Sequence, residues 1–217
     1  MKLVLKMDEI RLELVMKSKR VVLIAVRKYL SNTFYPDVVQ VAKSLADRSD
    51  FNHSCTDEAG RLLRVLVGQV KEGKILEVGT GLGVGSSWIL SSIAPGVRFI
   101  SIDIDIKRVD SVKKHIRHPQ AEFVNGDWKE ISENGPFQFI FADAAIVKSV
   151  EGDKLIEILE IGGLLFMDDF TPEEHWPEEW RGIHDPVREF WLNHPCLSST
   201  EIYLTSTTAA ILATRVR

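Results

Sequence analysis

From residue 74 to the C-terminus, apolar and polar positions fall into a repeating scheme. Short apolar runs at 74–79, 97–103, 121–125, 137–142 and 162–168 alternate with stretches of helical pattern. Alternation of this kind predicts a parallel sheet covered by helices on both faces. The tail breaks the scheme, because the segments 199–204 and 208–215 are separated only by Thr205-Ser206-Thr207. That is too little chain for a helical crossover, so the two segments pair antiparallel. The pattern as a whole predicts an α/β, doubly wound, mostly parallel seven-stranded sheet that closes in a C-terminal antiparallel hairpin.

The first 55 residues read differently. MKLVLKMDEIRLELVMKSKR interleaves charged with apolar residues, which reads as an amphipathic helix and not as a signal peptide. Breaks are expected near Ser31-Asn32-Thr33 and near Pro36, where a proline can open the next helix. Residues 1–55 are therefore expected to form a helical cap, part of the same domain as residues 56–217, over a ligand site or at a dimer surface. The apolar run at 21–26 is far too short to span a membrane.

Length and composition narrow the class. A chain of 217 residues suits one α/β domain, and 45% hydrophobic and 27% charged residues are ordinary for a globular protein. The net charge of -4 implies no basic surface for nucleic acid or an anionic membrane. Cys55 and Cys196 lie far apart without metal-ligand spacing, so no disulfide framework is suggested and a cytoplasmic location is expected.

The candidate chemistry begins at the end of the first apolar run, in Glu77-Val-Gly79-Thr-Gly81-Leu-Gly83. A strand that enters a glycine-rich turn and then a helix brings bare backbone close to a ligand, with helical N–H groups facing it. Glu77 changes the expected ligand. A carboxylate beside a pyrophosphate would be repelled, whereas a cationic ligand such as the sulfonium of S-adenosylmethionine suits it. The second run ends at Asp103, placed to accept hydrogen bonds from ribose hydroxyls, with Asp105 read as a solvated turn acid.

These motifs, ILEVGTGLGVGSSWIL at 75–90, FISIDID at 99–105 and VNGDW at 124–128, resemble those of the class I S-adenosylmethionine-dependent methyltransferases. Within them the chain is similar to the small O-methyltransferases of the catechol and caffeoyl-CoA type, from about Thr56 to the C-terminus, although Gly85 stands where a serine is usual. The resemblance implies a class I methyltransferase fold and cofactor contacts from Glu77, Gly79, Thr80, Gly81, Gly83, Ser86, Asp103, Asp127, Trp128 and Asp143. Asp127 would accept from the adenine amino group. It also implies a homodimer.

The resemblance further implies a divalent metal, Mg2+ or another hard cation, held by Asp143, Asp168 and Asp169. Asp169 stands where the family has asparagine, and Ile146 where it has a lysine, with Lys148 two residues later as the candidate replacement. Asp143 and Lys148 are then the candidate catalytic residues. In the alternative, Asp143 contacts the amino-acid end of the cofactor and Asp168-Asp169 cap a helix or order a loop. The segment 171–195 carries His175, Trp176, Trp180, His184, Phe190, Trp191 and His194, apolar walls with a few polar groups such as a small-molecule pocket needs. Residues 186–192 also read as an amphipathic helix with Phe190 and Trp191 in the core.

The expected function is methyl transfer from S-adenosylmethionine to a small-molecule hydroxyl. The alternatives are a nicotinamide-dependent oxidoreductase using the same turn, and a noncatalytic adapter that keeps the fold.

Overall fold

Three antiparallel strands, β1 (Lys2–Met7), β2 (Ile10–Lys17) and β3 (Arg20–Arg27), occupy the start of the chain in the order β1-β2-β3. The computed structural model describes residues 2–7, 10–17, 20–27, 34–149 and 151–217. Strand replaces the expected amphipathic helix here. The reason is legible afterwards: Ile10, Leu12, Leu14 and Met16 alternate with Arg11, Glu13, Val15 and Lys17 at the two-residue period of a strand, and residues 20–27 are rich in β-branched side chains. The break expected at Ser31-Asn32-Thr33 lies outside the described residues.

The chain divides into two compact units, Met1–Tyr35 and Pro36–Arg217. The boundary expected at residue 55 thus falls inside the second unit. Helix begins where proline was expected to open it: Pro36 precedes α1 (Asp37–Arg48). In α2 (Asp57–Val67), the Thr56 hydroxyl accepts from the Ala59 N–H at 3.2 Å, satisfying one free donor of the first turn.

The second unit contains the seven-stranded sheet. In chain order its elements are β4 (Lys74–Val78), α3 (Val84–Leu90), β5 (Arg98–Asp103), α4 (Ile106–His115), β6 (Ala121–Asn125), β7 (Phe137–Ala142), α5 (Ala145–Ser149), α6 (Gly152–Ile158), β8 (Leu159–Phe170), α7 (Pro186–Asn193), β9 (Leu197–Tyr203) and β10 (Ala209–Arg215). Strand order is β6-β5-β4-β7-β8-β10-β9. Strands β6, β5, β4, β7 and β8 are parallel, and β10 pairs antiparallel with both β8 and β9. This is the expected sheet with its closing hairpin.

The apolar runs form strands because a sheet covered on both faces removes every side chain from water. Leu76, Ile100, Ile140 and Leu165 are fully or almost fully buried, as are Ile75, Phe99, Phe139 and Phe166 with the opposite alternation. Trp191 of α7 is wholly buried against this core, as expected, and its indole N–H donates to the Lys148 carbonyl at 2.8 Å. Chain order reverses between β4 and β7. A crevice therefore opens at the carboxyl ends of these strands, the topological position where doubly wound sheets bind ligands.

Candidate active site

A cavity of about 370 Å³ occupies that crevice. Val78, Gly79 and Gly81 enter its wall from the end of β4, Ile102, Asp103 and Ile104 from β5, and Gly126 and Trp128 from beyond β6. Asp143 follows β7, and Asp169 ends β8. Five successive strand ends thus converge on one space.

The turn after β4 owes its shape to glycine. Gly79 has φ 105°, and a Cβ there would lie 3.0 Å from the Ala144 amide nitrogen. The Gly81 N–H donates to Asp103 Oδ2 at 2.9 Å, while Asp103 Oδ1 accepts the Asp105 N–H at 2.9 Å. Asp103 is therefore locked in orientation by two backbone donors. Each carboxylate oxygen retains acceptor capacity toward a further hydroxyl. Asp105 caps α4, accepting from the Lys107 N–H at 2.9 Å.

Glu77 lies behind the wall instead of in it. It is wholly buried, and one carboxyl oxygen accepts from the Ser101 hydroxyl at 2.5 Å and from the Ser86 hydroxyl. Thr80 Oγ1 sits 2.6 Å from Ser101 Oγ, so Glu77, Thr80, Ser86 and Ser101 form one buried polar group joining β4, β5 and α3. Glu77 Oε1 is buried without a hydrogen-bond partner among the described residues. Burial pushes the Glu77 carboxyl up to about 8, the serine hydrogen bonds opposing the shift. A Cβ at position 85 would lie 2.5 Å from Glu77 Oε1 and 2.9 Å from the Phe141 ring, which explains the glycine where the resembling family has serine.

Of the remaining expected cofactor residues, Trp128 is buried and lines the cavity, whereas Asp127 does not. Asp127 is half exposed and caps the 3-10 turn Trp128–Asn134, accepting from the Lys129 N–H at 3.1 Å. Gly83 starts α3 with φ 82°. Phe51, His53 and Arg108 line the wall without belonging to any motif read from the sequence. Phe51 and His53 come from the loop between α1 and α2, and the Arg108 guanidinium stacks on Phe51 at 5.0 Å. Ile104 carried a readable signal, an apolar residue between two acids at a strand end, and it is 82% exposed.

At the far side of the cavity, Asp143, Asp168 and Asp169 come together, each offering one oxygen within 4.8 Å of the others. Asp168 is buried, with neither carboxyl oxygen hydrogen bonded to a described residue. Burial raises both Asp143 and Asp168 above the usual carboxylate range, repulsion from Asp168 adding to the rise at Asp143 and repulsion from Asp169 to that at Asp168, with the Lys148 ammonium opposing both. Asp169 adopts the left-handed conformation, φ 61°, and is exposed. Lys148 does not line this cavity. Its ammonium donates to the Asp168 carbonyl at 2.6 Å and lies 3.6 Å from Asp168 Oδ1, so it holds the end of β8 from behind. Ile146, 57% exposed, takes a place in the cavity wall.

No protein-family model matches the sequence, and no curated protein matches it. Solved structures do match. An O-methyltransferase from Bacillus cereus, in complex with S-adenosylhomocysteine, is 19% identical, with 85% of this chain and 93% of that chain covered and a TM-score of 0.71. An O-methyltransferase of tomaymycin synthesis from Streptomyces achromogenes, in complex with S-adenosylmethionine, is 17% identical over 86% of this chain and 93% of that chain, TM-score 0.71. A methyltransferase from Geobacter sulfurreducens is 18% identical over 86% and 92%, TM-score 0.67. The residues 36–217 thus fold as a class I methyltransferase does, with the seven-stranded sheet and closing hairpin that the sequence pattern predicted.

Proposed function

We propose that this chain is an S-adenosylmethionine-dependent methyltransferase that methylates a hydroxyl of a small molecule. One observation carries the reading: a cavity at the switch point joins a backbone-locked carboxylate, Asp103, to a positive-φ glycine turn. That arrangement presents fixed acceptors to ribose hydroxyls and bare backbone to the rest of a nucleoside. Ile104 and Trp128 supply apolar surface for a purine. The fold shared with O-methyltransferases solved with S-adenosylmethionine or its product supports the same assignment. The Glu77 group acts as a positioning device in this reading, tying the turn to β5 through Ser101 and to α3 through Ser86.

S-adenosylmethionine, when bound, supplies a methyl group already activated on a sulfonium. The chain needs only to align an acceptor oxygen, exclude water and take up a proton. Where no cation holds it, Asp143 in the cavity wall is a group able to receive that proton, its raised affinity for protons bringing it closer to that of an acceptor hydroxyl. The three convergent carboxylates fit a hard divalent cation, and the buried oxygens of Asp168, which accept no hydrogen bond from a described residue, are the observation that favours one. Asp143, Asp168 and Asp169 would hold it, and it would lower the proton affinity of a coordinated hydroxyl. Among the described residues no helix is long and apolar enough to cross a membrane. A cytoplasmic enzyme acting as a homodimer accords with the sequence reading.

Calorimetric titration with S-adenosylhomocysteine tests the proposal. Binding is expected, and Asp103→Ala weakens it by about tenfold or more, as loss of a charged hydrogen-bond acceptor does. A well-folded protein that takes up none of the ligand overturns the assignment. Transfer of label from S-adenosylmethionine to a metabolite pool, with and without EDTA, then separates catalysis from mere binding.

A further inference from the structure

A second cavity, about 620 Å³, opens beside the first and shares Asp169 with it. Its walls are aromatic and apolar, from Phe170, Trp176, Trp180 and Ile183. Trp180 and Ile183 are each 58% exposed, which is much apolar surface to leave in water on adjacent turns. Trp176 is fixed in orientation, its indole N–H donating to the Thr171 carbonyl at 2.8 Å.

The charged wall residues are Asp169, Asp185 and Arg188, with His175 and His184 beside them, the His184 Nε2 against the Glu189 carboxylate. Arg188 is held by Glu201 in a bidentate pair at 2.8 and 3.1 Å, by Asp185 at 2.9 Å and by the Thr171 carbonyl at 3.0 Å. Its guanidinium also stacks on Phe170 and Trp176, at 5.3 and 5.5 Å. Two carboxylates on one guanidinium leave no positive field for an incoming anion. Arg181 is fixed in place but keeps its charge, its Nε donating to the neutral Trp176 carbonyl at 3.1 Å. Between residues 171 and 190 six carboxylates stand against these two arginines, and Glu173, Glu174, Glu178 and Glu179 are all exposed. Carboxylates outnumber arginines around the cavity, so the field there is negative, and the half-exposed Trp180 indole stands in its wall.

We propose that this second cavity is the acceptor pocket and that it selects an aromatic molecule bearing an ammonium arm over neutral or anionic analogues. The assignment of an acceptor rests on the methyltransferase reading; the charge preference rests on the cavity itself. The ring lies against Trp180 and the ammonium faces Asp169 in the wall, with the exposed glutamates of the surrounding loop adding attraction at longer range and the indole adding cation–π attraction.

Three phenols of similar size test this by tryptophan fluorescence titration, in EDTA so that no metal mediates: tyramine, 4-ethylphenol and 3-(4-hydroxyphenyl)propionate. Tyramine is expected to bind about tenfold more tightly than the carboxylate, with ethylphenol between, and the preference should shrink as salt rises because the loop charges are exposed. Trp180→Ala should weaken all three, whereas a Glu173→Gln, Glu174→Gln pair should narrow only the spread between them. Equal affinities, a preference for the carboxylate, or no binding of any probe overturns the inference. The parallel titration with S-adenosylhomocysteine keeps the two ideas apart. Cofactor binding without the charge preference sinks the pocket assignment alone, and the converse sinks the methyltransferase reading while the cation-selective cavity stands.

Discussion

At the ends of β4 and β5, carboxylates are engaged by the chain itself: Asp103 takes two backbone N–H groups and Glu77 takes two serine hydroxyls. At the ends of β7 and β8, Asp143, Asp168 and Asp169 crowd together, and both buried oxygens of Asp168 lack a hydrogen-bond partner among the described residues. The first arrangement is preorganised and gains little further from a ligand beyond the contacts it makes. The second contains desolvated, mutually repelling charge that a cation or a proton relieves. The contrast teaches how one sheet edge can serve two purposes. A rigid half suits a cofactor that is the same in every turnover, and a half under electrostatic tension suits components whose arrival must change the local energetics.

The largest effect should come from breaking the rigid half at Gly79. Valine there meets both an unfavourable positive φ and the Ala144 amide at about the closest approach any Cβ tolerates. Gly79→Val is expected to lower affinity for S-adenosylhomocysteine by about a hundredfold, since displaced strained backbone costs on the order of 3 kcal/mol. Calorimetry on a variant shown to be folded by circular dichroism checks it, and unchanged affinity would mean that the cofactor does not approach this turn.

Next in size is the proton held by Glu77. Because its carboxyl is raised from 4.5 to about 8 by burial, the folded state binds a proton more tightly than the unfolded chain. Stability from this group is complete below about pH 4.5 and is lost as pH rises through about 8, a change on the order of a few kcal/mol. Glu77→Gln removes that titration. The melting temperature of the wild type should therefore fall relative to Glu77→Gln between pH 5 and pH 8, and parallel pH profiles for the two proteins would show that Glu77 is ionised in the folded chain.

The tense half should respond in the opposite sense to loss of charge. Asp168→Asn keeps the shape but removes a buried negative charge, so the metal-free protein should become more stable by about 1–2 kcal/mol. The same change should abolish any rise in melting temperature produced by Ca2+ or Mg2+ in the wild type. A destabilised variant would indicate that the pairing of Asp168 with Lys148 outweighs its desolvation.

The two halves also differ in how far they could be read from the chain. The strands were legible because a sheet buried on both faces demands continuous apolar runs, and the hairpin because three residues cannot make a crossover. Asp103 was legible as an acid at a strand end. The confinement of Glu77 behind the wall was not, since its partner Ser101 lies on the neighbouring strand and nothing in either motif marks a serine as a partner of Glu77. Phe51 and His53 reach the cavity only because α1 packs against α3, a contact without local signature. At the N-terminus the interleaved charges fit a helix as well as a strand, and the two-residue alternation of Ile10 to Met16 was the discriminating feature.

The smallest expected effect concerns Asp127, where motif and geometry suggest different roles. The motif VNGDW implies an adenine contact, yet the side chain is half exposed, stands outside the cavity wall and caps the following 3-10 turn through Lys129 N–H. A cap of this kind contributes about 1 kcal/mol, and replacing it with alanine should cost roughly that much stability. Its ion pair with Lys129, at 3.8 Å and largely solvated, adds little. If capping is its whole role, Asp127→Ala leaves affinity for S-adenosylhomocysteine within about twofold while Asp127→Asn, which can still cap, restores the stability. A loss of affinity near tenfold, beyond what a frayed turn explains, would instead place the carboxylate on the adenine amino group and extend the rigid half of the cleft by one more strand end.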